Sequence, residues 1–586
     1  MLFYLGTNKN SEDFTWICGE AYAFGYQLNP HYWMHFHLVD ENRFRFFSEQ
    51  AIGRKENGEL FRPFLADNYL GTIENAQNNF VGLEFRKTKT DFEFWANSAR
   101  ITRARLYFTI HREGIYFSPD LRALLPYSSR KLKPDSAYSI LKYGDVPEYL
   151  TIVDDIFCIP VGRYLKLNEK DLKEILKRQK IDLAAFRPFF HLSFPMDGGD
   201  VAATYKLLQS NFEFLSKNNP LVPVSGGVDS TLINCLVNEF SESAYPAYYM
   251  QFGKDDPEVS FARKAVEGTK AELVIDLMHA DDTIEAFEFQ NEKLIQPIGE
   301  SSTIAIAHFF RKMKFEKRYV LDGTLADGCY GSCNYNVPLF GNQKERSLAM
   351  QKATEHLATW MKVRNTSGNE HFYPRDTNMP DKMMQFMHMY LGPFANTWFK
   401  KAREYSEELL PFWRLYYEFL DAENGRNDDW ARYSVFKMVN YACKNNTAKT
   451  YDNSQPENSA FYAFTWLDVL KDQGHYSWAE KTKDNTIKYV LKKILENYKP
   501  KEFIYRKKVG LNSSFNDWIH LEKNRTYFAD LLAEKSGITG FFLGGKRQNF
   551  LVKKFQQEVL QENLANLVIN LAILQGWLNR NNITIG

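Results

Sequence analysis

The sequence predicts an α/β protein in two parts: an antiparallel β-rich domain over residues 1–192, then a doubly wound parallel-sheet domain with a helical C-terminal part over 193–586. Three observations predict it. Short aromatic and β-branched runs separated by turn signals fill the first third. Strand-like and helix-like segments then alternate from Leu221 to about Gly331. Beyond Asn336, apolar and aromatic residues recur at i, i+3, i+4. At 586 residues the chain exceeds one ordinary core, so two domains are expected.

Composition excludes several classes. A chain that is 44% hydrophobic and 25% charged is globular, and a formal net charge of +1 gives no bulk attraction to nucleic acid or an acidic membrane. The six cysteines are scattered except for Cys329 and Cys333. No second Cys/His pair stands near these two, so reduced thiols are favoured over half a metal site. Met1 to Gly6 has neither a basic region nor a long apolar core, and no apolar run approaches the roughly 20 residues of a membrane span. The expected location is the cytoplasm.

In the first third, Phe80 to Phe85, Asp91 to Trp95, Arg105 to Phe108 and Gly114 to Ser118 read as a meander of strands in a mostly antiparallel sheet. Asn57-Gly58-Glu59 reads as a hairpin turn.

The most informative stretch is Leu221-Val-Pro-Val-Ser225-Gly226-Gly227-Val-Asp229-Ser230-Thr-Leu232. A short apolar run meets Ser-Gly-Gly, and Leu232, Ile233, Leu236 and Val237 follow at helical spacing. Strand, tight loop and helix result. Glycines let the backbone approach a ligand, and a helix N-terminus offers N–H groups and partial positive charge, so the loop is a phosphate seat. It lacks the Gly-Lys-Ser/Thr ending of a Walker-type loop and carries Asp229 instead. An acid beside phosphates makes sense if it holds Mg²⁺.

Ala247 to Gly253 is a strand ending in glycine. Asp255 to Val266 is a helix opened by acids and a proline, and Glu272 to Asp276 is the next strand. Gln296-Pro-Ile-Gly-Glu-Ser301-Ser302 opens a further helix, with its serines as caps or substrate contacts. Tyr319 to Leu321 runs into the small-residue loop Asp322-Gly323-Thr324-Leu-Ala-Asp327-Gly328. Later aromatic stripes such as Trp413 to Leu420 are core, and Tyr505-Arg506-Lys507-Lys508-Val-Gly510 is a basic cluster.

Ser225-Gly-Gly-Val-Asp-Ser230 resembles the pyrophosphate loop of the N-type ATP pyrophosphatases, which split ATP to AMP and pyrophosphate while adenylating a substrate. Ser98 to Phe108, Gly114 to Ser118, Leu121 to Leu125, Tyr143 to Pro147 and Ile156 to Leu165 resemble, in order, the end of a class II glutamine amidotransferase domain and its passage into an asparagine synthetase domain. The chain is therefore identified as asparagine synthetase-like, related to β-lactam synthetases and lasso-peptide cyclases. The resemblance implies that ATP binds through Ser225, Gly226, Gly227, Asp229, Ser230 and Gly323, with Met250, Phe252 and Gly253 along the adenine. It makes Asp229 and Asp327 the Mg²⁺ ligands. It aligns Lys508 with the lysine that stabilises charge during adenylation and attack, and puts Thr324 where asparagine synthetases carry a glutamate associated with amine attack.

Departures sharpen the reading. Leu2 stands where glutaminases of this kind need a cysteine whose own α-amino group is the base, and Ala99 replaces the Asp of an Arg-Asp pair. Cys18-Gly19 would mimic the motif only after removal of the residues before it; flanked by aromatics, Cys18 reads as a strand cysteine. The expected activity is ATP-dependent amide formation, adenylating a small-molecule or peptide carboxylate and passing it to an amine, without glutaminase activity. The substrate stays open among natural-product, peptide and polysaccharide carboxylates. A homodimer or a biosynthetic protein partner fits as well. Thr324 and Gly328 keep open a second class, a noncatalytic ATP-binding scaffold.

Overall fold

The computed structural model describes residues 2–331 apart from 8–13, 19–22, 28–34, 41, 49–50, 63, 102–104, 113, 255, 300 and 313–317. Further on it describes 399–401, 404–405, 407–409, 411–412, 458–461, 463–506, 515–560 and 562–586.

The first seven strands are β1 (Leu2–Gly6), β2 (Thr15–Cys18), β3 (Ala23–Gln27), β4 (His35–Asp40), β5 (Arg43–Phe47), β6 (Gly53–Arg54) and β7 (Leu60–Phe61). Then come β8 (Gly82–Lys87), β9 (Phe92–Asn97), β10 (Tyr107–His111), β11 (Gly114–Ser118), β12 (Phe157–Cys158), β13 (Arg163–Leu167) and β14 (Phe186–Pro188). Twelve of them form two six-stranded antiparallel sheets, β12-β10-β11-β1-β3-β2 and β14-β13-β9-β8-β5-β4, and β6 pairs with β7 alone. Rings from the two sheets meet face to face in a sandwich: Phe24 stacks on Phe85 with centroids 4.6 Å apart, Phe94 meets Phe117 at 4.9 Å and Phe3 meets Phe46 at 5.0 Å. Each such pair adds about 0.5–1.5 kcal/mol beyond its buried area. Leu2 is 6% exposed within this core.

A simple meander is not what forms. Hairpins β8–β9 and β10–β11 are present, but β9 continues to β13 and β10 to β12, so the chain changes sheets after Asn97. Alternation identifies which face is buried, not which strand lies beside it. The buried link is pinned by Ser98 Oγ donating to Ile159 O at 2.5 Å and by Arg100 donating to the carbonyls of Ile73 (3.0 Å) and Ala76 (2.9 Å). Asn57 to Glu59 forms the turn of the β6–β7 hairpin, with Gly58 at φ +86°.

Five strands follow: β15 (Pro220–Pro223), β16 (Tyr245–Phe252), β17 (Ala271–Met278), β18 (Arg318–Leu321) and β19 (Asn458–Phe461). All pair in parallel, in the order β17-β16-β15-β18-β19. Leu221 and Val222 in the central strand are fully buried, as expected of a sheet covered on both faces. The chain leaves β15 for β16 on one side and later returns to β18 on the other. That reversal is a topological switch point, where open parallel sheets bind ligands.

The sandwich docks on this layer through its β6–β7 hairpin. Arg54 donates to Asn211 Oδ1 and Asp468 Oδ2, both at 2.5 Å, and Asn79 donates to Thr465 O at 2.9 Å. The last helix, Glu562–Arg580, is tied back by Trp577 Nε1 donating to Leu294 O at 2.9 Å. Among the described residues, no helix is long and apolar enough to cross a membrane.

Candidate functional site

The loop after β15 is built for close approach. Gly226 has φ +69°, and a Cβ there would lie 2.7 Å from the main-chain carbon of Phe261, so no other residue fits without backbone movement. Gly227 is the N-cap of helix Val228–Phe240, and no side chain caps that end. The serines brace the loop. Ser225 N–H donates to Ser230 Oγ at 3.0 Å, and the two hydroxyl oxygens are 3.1 Å apart.

Two acids converge from separate strand ends. Asp229 lies in the first turn after β15, and Asp327 in the short helix Ala326–Tyr330 after β18. Between them stands a residue that the motifs did not single out, Lys488: its Nζ is 2.5 Å from Asp229 Oδ2 and contacts Asp327 Oδ1. Burial alone would lower the Lys488 pKa, but the two carboxylates outweigh it and the value is raised. One turn on, Lys492 is lowered by burial and by the Lys488 charge.

Backbone strain brackets this cluster. Leu325 has φ +75° and Lys488 φ +56°, both in the left-handed region that costs an L-residue roughly 1–2 kcal/mol. Lys488 N–H donates to Gly331 O at 2.7 Å, which ties the Asp327 helix to the start of helix Tyr489–Leu495. Such strain persists where surrounding contacts over-determine it, commonly at functional sites.

Gly323 and Thr324 join the same wall. A Cβ on Gly323 would meet the Asp229 Cβ at 3.0 Å, so glycine lets the β18 loop lie against the first acid. Thr324 N–H donates to Asp322 Oδ1 at 2.7 Å, and its hydroxyl bonds the same oxygen. Gly328 is buried.

On the other side, Met250 to Gly253 closes β16. Phe252 is 7% exposed, and its main-chain N–H donates to Asp256 Oδ2 at 3.2 Å; Gly253 turns at φ +75°. Arg506 anchors a second wall. It pairs with Glu258 at 2.8 Å, donates to Gly226 O at 3.1 Å and lies over the Phe261 ring at 3.5 Å. Lys508, two residues further on, lies outside the described residues. So do Cys333 and Glu300, while Ser301 accepts from Ile304 N–H at 3.1 Å through its carbonyl, an N-terminal helix bond.

The arrangement thus gathers Ser225 to Ser230, Met250 to Gly253, Gly323, Thr324 and Asp327 around one end of the parallel sheet. Among the described residues, no group of three or more His, Cys, Asp and Glu side chains is gathered as for a metal. Two facing carboxylates beside an uncapped helix N-terminus suit a hard ion such as Mg²⁺, which usually takes one or two carboxylates and completes its shell with phosphate oxygens and water. Sequence reasoning missed Lys488 because it lies outside the motifs and its partner Asp229 is 259 residues back along the chain. The spacing of Lys488 and Lys492, four apart at a helix start, was the only available signal.

Residues 220–579 match the family model described as Asparagine synthase, which covers more than half of the chain. The match starts at the first residue of β15 and runs into the last helix. No curated protein matches the chain.

Proposed function

The chain belongs to the asparagine synthase family of ATP-dependent amidating synthetases, and from that premise we propose that it adenylates a substrate carboxylate and transfers the acyl group to an amine. The observation that carries this reading is the convergence of Asp229, Asp327 and Lys488 at the switch point, against an uncapped glycine loop. A catalyst for splitting a triphosphate needs such a set: N–H groups for phosphate oxygens, acids for the accompanying cation, and ammonium groups for displaced charge.

In this reading Ser225, Gly226, Gly227 and Ser230 seat the pyrophosphate, and Met250, Phe252 and Gly253 line the adenine. Asp229 and Asp327 would hold Mg²⁺, which neutralises charge on the departing pyrophosphate. A carboxylate oxygen attacks the α-phosphorus, the bond to the β-phosphate oxygen breaks, and pyrophosphate leaves. The amine nitrogen then attacks the acyl carbonyl, AMP leaves with the bonding electrons, and the amine loses a proton. Lys488 and Lys508 stabilise the negative charge of these two steps. Thr324, committed to Asp322, shapes the side from which the amine enters. Holding both reactants in one cleft supplies much of the rate.

The sandwich, residues 1–192 in this reading, does not hydrolyse glutamine. Leu2 offers no thiol and is packed in the core, and Ala99 is fully buried with no carboxylate. The amine is then a free molecule or part of the substrate, of the natural-product, peptide or polysaccharide class. Reduced, buried Cys158, Cys235 and Cys329 suit a cytoplasmic enzyme.

Exchange of labelled pyrophosphate into ATP tests this reading, with Mg²⁺, a panel of carboxylic acids, and the variants Asp229→Ala and Asp327→Ala. Exchange with one acid, lost in both variants, is the expected result. Tight Mg²⁺-ATP binding with no exchange, even with amines and partner proteins added, would instead make the chain a noncatalytic scaffold.

A further inference from the structure

We propose that Lys488 is a resident counter-ion that couples metal entry to nucleotide entry: it holds Asp229 and Asp327 while the site is empty and releases both only when a triphosphate offers it a new anion. The proposal rests on the reading of Asp229 and Asp327 as Mg²⁺ ligands. Two carboxylates from different strand ends repel each other across a partly buried gap, and the ammonium between them relieves that repulsion. Its Nζ lies 2.5 Å from Asp229 Oδ2 and contacts Asp327 Oδ1, so it fills the place where an ion would bind both acids. Mg²⁺ needs oxygens at about 2.0–2.1 Å and cannot share that gap with an ammonium.

The backbone of Lys488 does not have to move for the exchange. It is fixed in the left-handed region by the bond to Gly331 O, while the side chain is a flexible four-carbon stem. Asp229 belongs to the first turn of the helix whose N-terminus seats phosphate, so the acids and the anion site are neighbours. Mg²⁺ alone would expel the ammonium from both carboxylates with no anion to receive it. Mg²⁺ arriving with a triphosphate brings the anion along, so the two bind together.

The test is direct counting of bound Mn²⁺ by electron paramagnetic resonance, without nucleotide, in the wild type and in Lys488→Gln. The variant should bind Mn²⁺ at least tenfold more tightly, and the gain should vanish in Asp327→Asn/Lys488→Gln. Equal affinities in wild type and Lys488→Gln would overturn the proposal, as would a gain that survives removal of Asp327. If Lys488→Gln does not fold, Lys488→Met keeps the stem without the charge and gives the same comparison. The readout needs no turnover. Pyrophosphate exchange by the wild type together with equal Mn²⁺ affinities would refute the counter-ion and leave the synthetase reading standing, and the converse pair of results would do the opposite.

Discussion

Buried charges in the sandwich and at the switch point of the parallel sheet are arranged in opposite ways. In the sandwich, Arg105 lies fully buried between Asp145 and Glu148, at 3.2 and 3.4 Å, and Arg45 pairs with Glu84 within one sheet. These partners are about forty residues apart and closed off from solvent. At the switch point, Lys488 reaches an acid 259 residues away, and the Asp327 side chain keeps 42% of its surface exposed. Strained backbone at Leu325 and Lys488 holds the second group, whereas Arg45 and Glu84 of the first face each other on adjacent strands. The contrast separates charges closed off in a core from a cluster with one member open to solvent.

Removing one member of each set should break that contrast or sharpen it. Arg105→Ala strands two buried carboxylates and should cost about 3–5 kcal/mol of stability, read from urea unfolding. At a temperature where it is folded, its pyrophosphate exchange should match the wild type. Asp327→Asn should do the reverse: little change in unfolding, and exchange lower by on the order of 10²–10³-fold. If both variants lost stability and activity in equal measure, the separation would collapse.

Gly226→Ala gives the next largest effect. The left-handed backbone alone costs about 1–2 kcal/mol, and the Cβ would press on Phe261. If the loop relaxes to relieve that strain, restoring its shape on binding draws on the same energy, and Mg²⁺-ATP should bind roughly tenfold more weakly by calorimetry.

Much of this contrast could be read from the sequence where it is local. The strand, glycine loop and helix at Leu221 to Leu232 declare themselves within a dozen residues, and so does the turn at Asp322 to Asp327. The parallel sheet followed from strand and helix alternation over the same region. What alternation could not convey was partnership. The change of sheets after β9 depends on Ser98 and Arg100 being buried, and β19 joins the sheet from 140 residues further on, Asn458 lying beside Arg318 only in three dimensions. Lys488 escaped notice, and Arg506 was seen without its partner, for the same reason: Asp229 and Glu258 lie far back along the chain.

Two smaller effects probe how closed the ordinary core is. Burial pushes the thiols of Cys158 and Cys329 up to about 12 and that of Cys235 up to about 11. At pH 8 all three should resist alkylation in the native protein and react in urea, as peptide mass spectrometry would show; native labelling of Cys235 would place the helix behind the Ser225–Gly227 loop in an open state. Asp276 gives the weakest effect. Its carboxyl is held below the usual range chiefly by the hydrogen bond with His308, at 3.1 Å, with Tyr248 donating at 2.6 Å. A lowered folded value means that its stabilisation is complete above the usual carboxylate range and is lost as pH falls through the folded value. Urea unfolding of Asp276→Asn should therefore show a shallower acid loss than the wild type, with the curves converging at the lowest pH.

The most direct measurement is calorimetric titration of Mg²⁺-ATP into the wild type, Asp229→Asn and Asp327→Asn. Binding by the wild type, with loss in both variants at unchanged thermal unfolding, is the predicted result. Wild-type affinity in both variants, or no binding by the wild type, would contradict a nucleotide site at the switch point.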